Sequence, residues 1–90
     1  MSEARETKIK RLRMRSMRRG IKEMDLILDA FATSHLAEMS DEGLELYDQL
    51  ISENDHDLYG WIGGQFPVPD QYLDLVTQIA HGAQGVTRPG

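Results

Sequence analysis

Apolar side chains recur along this chain at steps of three and four, and the steps reset at short polar segments, so the pattern predicts several short helices. Ile9, Leu12 and Ser16 share one helical face with arginines between them. Arg18, Arg19 and Gly20 interrupt that stripe, and Gly20 is the residue there able to take a left-handed or crowded backbone, which predicts a corner. From Ile21 the stripe resumes as Met24, Leu28 and Phe31. Leu26 and Ile27 widen it into a face that can be buried on two sides, the signature of a central helix.

"SDEGLELYDQLI" opens with Ser40 as a helix cap and with Asp41 and Glu42 where the helix dipole is positive; Leu44, Tyr47, Leu50 and Ile51 form its inner stripe. Asn54 and Asp55 then cap a short fourth helix carrying Leu58, Trp61 and Ile62, stopped by Gly63 and Gly64. Trp61 reads as a core anchor, with a cost of about 3 to 5 kcal/mol for Trp61→Ala, and Tyr59 as the more exposed ring. Pro69 suits the first turn of a fifth helix with Leu73, Val76, Ile79 and Ala80 inside. No segment alternates apolar and polar residues as a strand would. The expected fold is all-α, a compact bundle of about five short helices spanning residues 8–81, between a flexible N-terminus, 1–7, and a disordered tail, 82–90, rich in glycine.

Ninety residues support one core, with a stability on the order of 5 kcal/mol. Cysteine is absent, which excludes disulfides, zinc–thiolate sites and thiol catalysis. No apolar run approaches the roughly 18 residues of a membrane span, and the basic N-terminus lacks the apolar core of a secretory signal. The chain therefore reads as soluble, unexported and cytoplasmic, with no membrane partner.

Charge changes the picture more than composition does. Residues 1–22 hold nine bases against two acids and residues 23–90 one base against thirteen acids, so a +7 arm precedes a −12 body, for a net charge of −5. An arm of that kind suggests something negative to meet. Nucleic acid is the alternative reading, through "KIKRLRMRSMRR", but no aromatic lies among those bases to stack on and the acidic body would repel a duplex.

Catalytic chemistry finds no foothold. The "DHD" at Asp55, His56 and Asp57 places three adjacent residues that rarely converge on one metal ion, and "GWIGGQ" follows no strand and carries no Walker-type lysine. His35 and His81 stand alone near expected helix ends, and the carboxylates are scattered along solvated faces.

Arg19, Gly20 and Glu23 spell Arg-Gly-x-x-Glu, flanked by Arg18 and Asp25. With "EMDLIL", "SDEGLELYDQLI" and the Asp55, Asp57, Leu58, Trp61 segment, this resembles the succinate dehydrogenase assembly factors of the SdhE type, over roughly residues 8–80. The resemblance implies a five-helix bacterial cytoplasmic protein that is not an enzyme. It would bind the flavoprotein subunit of succinate dehydrogenase, and of related fumarate reductases, and promote covalent attachment of FAD to a client histidine. A 90-residue bundle with no dinucleotide motif is itself poorly equipped to enclose FAD, so no stable FAD or metal site is expected on this chain. The implied docking surface is Arg18, Arg19, Gly20, Glu23 and Asp25, with Asp55 and Asp57 near its edge. The plain alternative for the same residues is a helix corner with an exposed Arg19–Glu23 pair worth about 0.3 to 0.5 kcal/mol. The basic residues before Leu12 and the "GQFPVPDQ" loop depart from shorter members of that family.

Overall fold

In the computed structural model, which describes residues 4–17 and 20–87, the backbone forms α1 (Arg5–Ser16), α2 (Lys22–His35), α3 (Asp41–Ile51), α4 (Asp55–Ile62) and α5 (Leu73–Thr87). Short 3₁₀ turns, Leu36–Glu38 and Asp70–Tyr72, lead from α2 toward α3 and into α5. The described residues contain no strand, so the all-α expectation holds. Helix extends beyond the expected limits at both ends, since α1 already starts at Arg5 and α5 continues to Thr87. The glycines at positions 82 and 85 are tolerated there because each costs a helix only about 1 kcal/mol, less than a packed helix gains from its apolar face.

Local chemistry explains most of the boundaries. Ser40 Oγ accepts the Gly43 N–H at 3.0 Å and caps α3, and Asn54 Oδ1 accepts the His56 N–H at 2.8 Å and caps α4. The end of α4 is a Schellman turn. Gln65 N–H reaches Gly60 O at 2.8 Å and Gly64 N–H reaches Trp61 O at 3.3 Å, while Gly64 takes φ +78°, the left-handed value that favours glycine. Pro69 sits one position earlier than expected, at the N-cap of the 3₁₀ turn that leads into α5.

One apolar cluster joins all five helices, and α2 packs most extensively, chiefly against α5 and α1, as a central helix should. Leu12, Met24, Leu28, Leu44, Tyr47 and Leu58 are fully buried. Tyr47 ties three elements together: its ring stacks on Phe31 at 5.6 Å, and its hydroxyl lies 2.6 Å from Ser16 Oγ, which also donates to Leu12 O. Two expected core positions turn outward. Leu26 is 48 % exposed and Leu73 is 49 % exposed. The inner stripe of α5 is Tyr72, Leu75, Val76, Ile79 and Ala83, because the 3₁₀ turn before the helix brings Tyr72 inward and rotates Leu73 to the edge.

Trp61 is a further correction. It is half-buried and packs against the core from outside, its ring 5.8 Å from that of Tyr72. Trp61→Ala therefore empties less protected surface than a core site would. We expect a loss of about 2 kcal/mol in urea denaturation, the value for partial burial of a large ring, and not the 3 to 5 kcal/mol of a sealed core.

The basic arm meets its acids within the chain. Arg5 pairs with Asp41 at 2.8 Å, Lys8 with Glu45 at 2.5 Å, Arg11 with Asp48 at 3.3 Å, and Arg15 with both Asp48 and the Ser52 hydroxyl. Partner numbers rise together, so α1 and α3 lie side by side and run in the same direction. Four of the nine bases in residues 1–22 thus face acids of α3, so part of the charge asymmetry that suggested nucleic acid is an internal ladder. Exposed pairs contribute little singly. Asp48 is different because it is only 25 % exposed and serves two arginines. Asp48→Asn should cost about 1 kcal/mol in dilute buffer, and that difference should shrink in about 1 M salt, where screening acts over roughly 3 Å. Urea titrations at the two salt levels check it; an unchanged difference would mean that packing, not charge, holds α1 to α3.

Candidate functional site

The start of α2 and the start of α4 meet at the surface. Lys22, Glu23 and Asp25 lie in the first turn of α2, and Asp55 opens α4 after its Asn54 cap. Gly20 N–H donates to Asp55 Oδ2 at 2.8 Å. One turn further along each helix, the Tyr59 hydroxyl donates to Glu23 Oε2. Residues 55 and 59 are four apart and so share one face of α4, which is why a single helix can hold both ends of the contact.

Gly20 is a crowded position and not a left-handed one. It is absent from the positive-φ glycines, and a Cβ built on it would lie 3.0 Å from Asp55 Oδ2. Close approach of the Asp55 carboxylate is what keeps the position small.

Gly20, Glu23 and Asp55 therefore come together as the sequence suggests. Arg18 and Arg19 lie outside the described residues. Asp25 is half-buried and about 200° around α2 from Glu23, and Asp57 is exposed and about 200° around α4 from Asp55, so each leaves its helix on a different side from its neighbour in the contact. Tyr59 is the member that sequence reasoning missed. Its four-residue spacing from Asp55 was the available signal, but no rule of local sequence pairs α4 with a glutamate 36 positions earlier.

The hydrogen bond to Glu23, reinforced by the carboxylate's charge and by partial burial, raises the Tyr59 pKa above 10.0. A phenol whose folded value is raised contributes stability below its unfolded value, and that contribution is lost as pH rises through the folded value. Glu23→Gln should bring this phenol down toward 10, read as an earlier rise of tyrosinate absorbance, with Tyr59→Phe identifying the signal. Superimposable titration curves for wild type and Glu23→Gln would contradict the pairing. Tyr72 is also raised, first by burial and then by its bond to Glu53, and should not respond to Glu23.

Beside this contact lies an open groove of about 330 Å3 between α2, α4 and α5, bordered by Glu23, Tyr59, Ile62 and Ala80. Among the described residues no three His, Asp or Glu side chains converge as a metal site. No helix among them is long and apolar enough to cross a membrane.

Residues 10–82 match the family described as the flavinator of succinate dehydrogenase, and the chain belongs to that family. It is 47 % identical to succinate dehydrogenase assembly factor 2, mitochondrial, of Meyerozyma guilliermondii, over 96 % of this chain and 67 % of that protein. It is 40 % identical to assembly factor 2-A, mitochondrial, of Drosophila yakuba, over 92 % and 55 %. A Kluyveromyces lactis relative is 44 % identical over 78 % and 45 %. The chain thus spans about half to two thirds of the length of these curated relatives.

These names overturn the bacterial cytoplasmic placement, because the relatives are described as mitochondrial. That placement rested on the absence of a secretory signal pattern and on the SdhE-type resemblance. Neither distinguishes a bacterial protein from a mitochondrial one of the same family.

Proposed function

We propose that this protein is a non-enzymatic assembly factor that binds the flavoprotein subunit of succinate dehydrogenase, and of related fumarate reductases, and promotes covalent attachment of FAD to a client histidine. Membership of the flavinator family across residues 10–82 carries the proposal. The proposed docking surface is Arg18, Arg19, Gly20, Glu23 and Asp25, with Asp55 and Asp57 as candidates near its edge.

The chemistry fits a holder better than a catalyst. Joining flavin to an imidazole needs a bound FAD and an aligned histidine, and both belong to the client. A partner that stabilises the conformation in which they meet raises the rate by orientation alone. The chain's own groove is unsuited to FAD as a resident cofactor. At about 330 Å3 it is near the small end of ligand pockets, about 300–1,000 Å3, and Glu23 at its border opposes a pyrophosphate.

Co-expression with a succinate dehydrogenase flavoprotein subunit, read as covalent flavin by in-gel fluorescence, tests the function. Flavin attachment should rise when the chain is present, and the two proteins should co-purify. No rise and no co-purification would sink the proposal.

A further inference from the structure

The groove beside Glu23 is left open by small residues. On α5, Leu75, Val76 and Ile79 fill the core, but the next positions facing α2 and α4 are Ala80 and Ala83, and α4 ends there in Gly63. Its base is apolar, including Ile27, which is 5 % exposed, and the half-buried Ile62. Its border is polar: the exposed Glu23, the Tyr59 hydroxyl and the exposed Gln65. Among the described residues the Glu23 carboxylate has Tyr59 as its partner and no lysine or arginine. A small domain with little core to spare thus keeps apolar surface uncovered beside an exposed carboxylate.

We infer that this groove receives an apolar side chain flanked by a lysine or arginine, supplied by the flavoprotein client. The inference rests on the docking reading above and adds to it the chemistry of the segment bound. An aliphatic or aromatic side chain would cover Ile27, Ile62 and the two alanines. The adjacent cation would reach Glu23, whose second oxygen is available while the first holds the Tyr59 hydroxyl. Charge complementarity selects a basic segment, because an acidic one would face the exposed Glu23 carboxylate at the groove's border.

Ala80→Leu and Ala83→Leu separate this idea from a structural role. Leucine at the half-buried Ala80 would grow into the groove, so the thermal midpoint should hold or rise, whereas leucine at Ala83, which is 9 % exposed, also presses on the core and should lower it; in both, affinity for the purified client subunit should fall about tenfold or more. Glu23→Gln should weaken binding several-fold and flatten its dependence on salt. A photo-crosslinking side chain at Gln65, on an exposed turn whose hydrogen bond is made by its backbone, needs no stable cavity variant. It should capture a client peptide with an apolar residue next to a lysine or arginine. Capture of an acidic peptide overturns the inference. So does a dimer of this chain that Ala80→Leu abolishes, since the groove would then belong to a second copy. If Glu23→Arg loses the client while both leucine variants bind like wild type, the groove inference fails and the docking surface stands. If all of them bind like wild type, both fail.

Discussion

Tyr47→Ala is expected to remove about 4 kcal/mol, nearly the whole stability of a domain that has on the order of 5. The side chain is fully buried, its ring stacks on Phe31, and its hydroxyl meets Ser16 on α1. Truncation thus empties a ring-sized space at the junction of α1, α2 and α3. It also releases the hydroxyl contact with Ser16, leaving α1 held by Leu12 in the core and by the ion-pair ladder. Tyr47→Phe keeps the ring and should cost only about 1 kcal/mol, as should Ser16→Ala, and the double variant should cost less than their sum because both remove one hydrogen bond. Urea denaturation followed by circular dichroism gives all four values. A Tyr47→Ala protein within 1 to 2 kcal/mol of wild type, a range set by ordinary substitutions, would show that the core closes over the gap.

The same residues show what a sequence can disclose. Ser16 lies in phase with Ile9 and Leu12, and Tyr47 in phase with Leu44 and Ile51, so both faces are legible from spacing. That the two hydroxyls meet across 31 positions is not. Local rules located the Ser40 and Asn54 caps and the double-glycine stop, because each is satisfied within a few residues. The ladder between α1 and α3 is not legible for the opposite reason, since every one of its pairs joins residues 33 to 37 apart. Leu26 and Leu73 were assigned inward because periodicity gives the face of a helix but not how wide a sector its neighbours cover. At the candidate site the motif supplied Gly20 and Glu23, yet the reason for the glycine, a carboxylate 3.0 Å from where a Cβ would sit, depends on α4.

Glu23→Arg is expected to reduce covalent flavinylation of the client toward the level reached without the factor, while the variant stays folded. The cost to the fold can be bounded. Reversal removes the exposed bond to Tyr59 and sets a positive group in the first turn of α2 against the helix dipole, which costs about 0.3 to 1 kcal/mol. Together these stay well below the domain's stability, so helicity should be retained. The effect on docking is larger, because a cation would then stand where the proposed surface offers a carboxylate, and the partner's complementary charge would be repelled. Gly20→Arg probes the same place by bulk. Its Cβ would press on Asp55 Oδ2 and break the close approach of the Asp55 carboxylate to the Gly20 N–H, and the long side chain would stand in the partner's way. Its guanidinium can pair with Asp55, which helps the variant remain folded and makes lost docking the cleaner explanation of lost activity. In-gel flavin fluorescence, co-purification and circular dichroism on the two variants decide the matter together. Folded proteins that co-purify and flavinylate as well as wild type would reduce the contact between α2 and α4 to a helix corner, worth what its two hydrogen bonds contribute and nothing more.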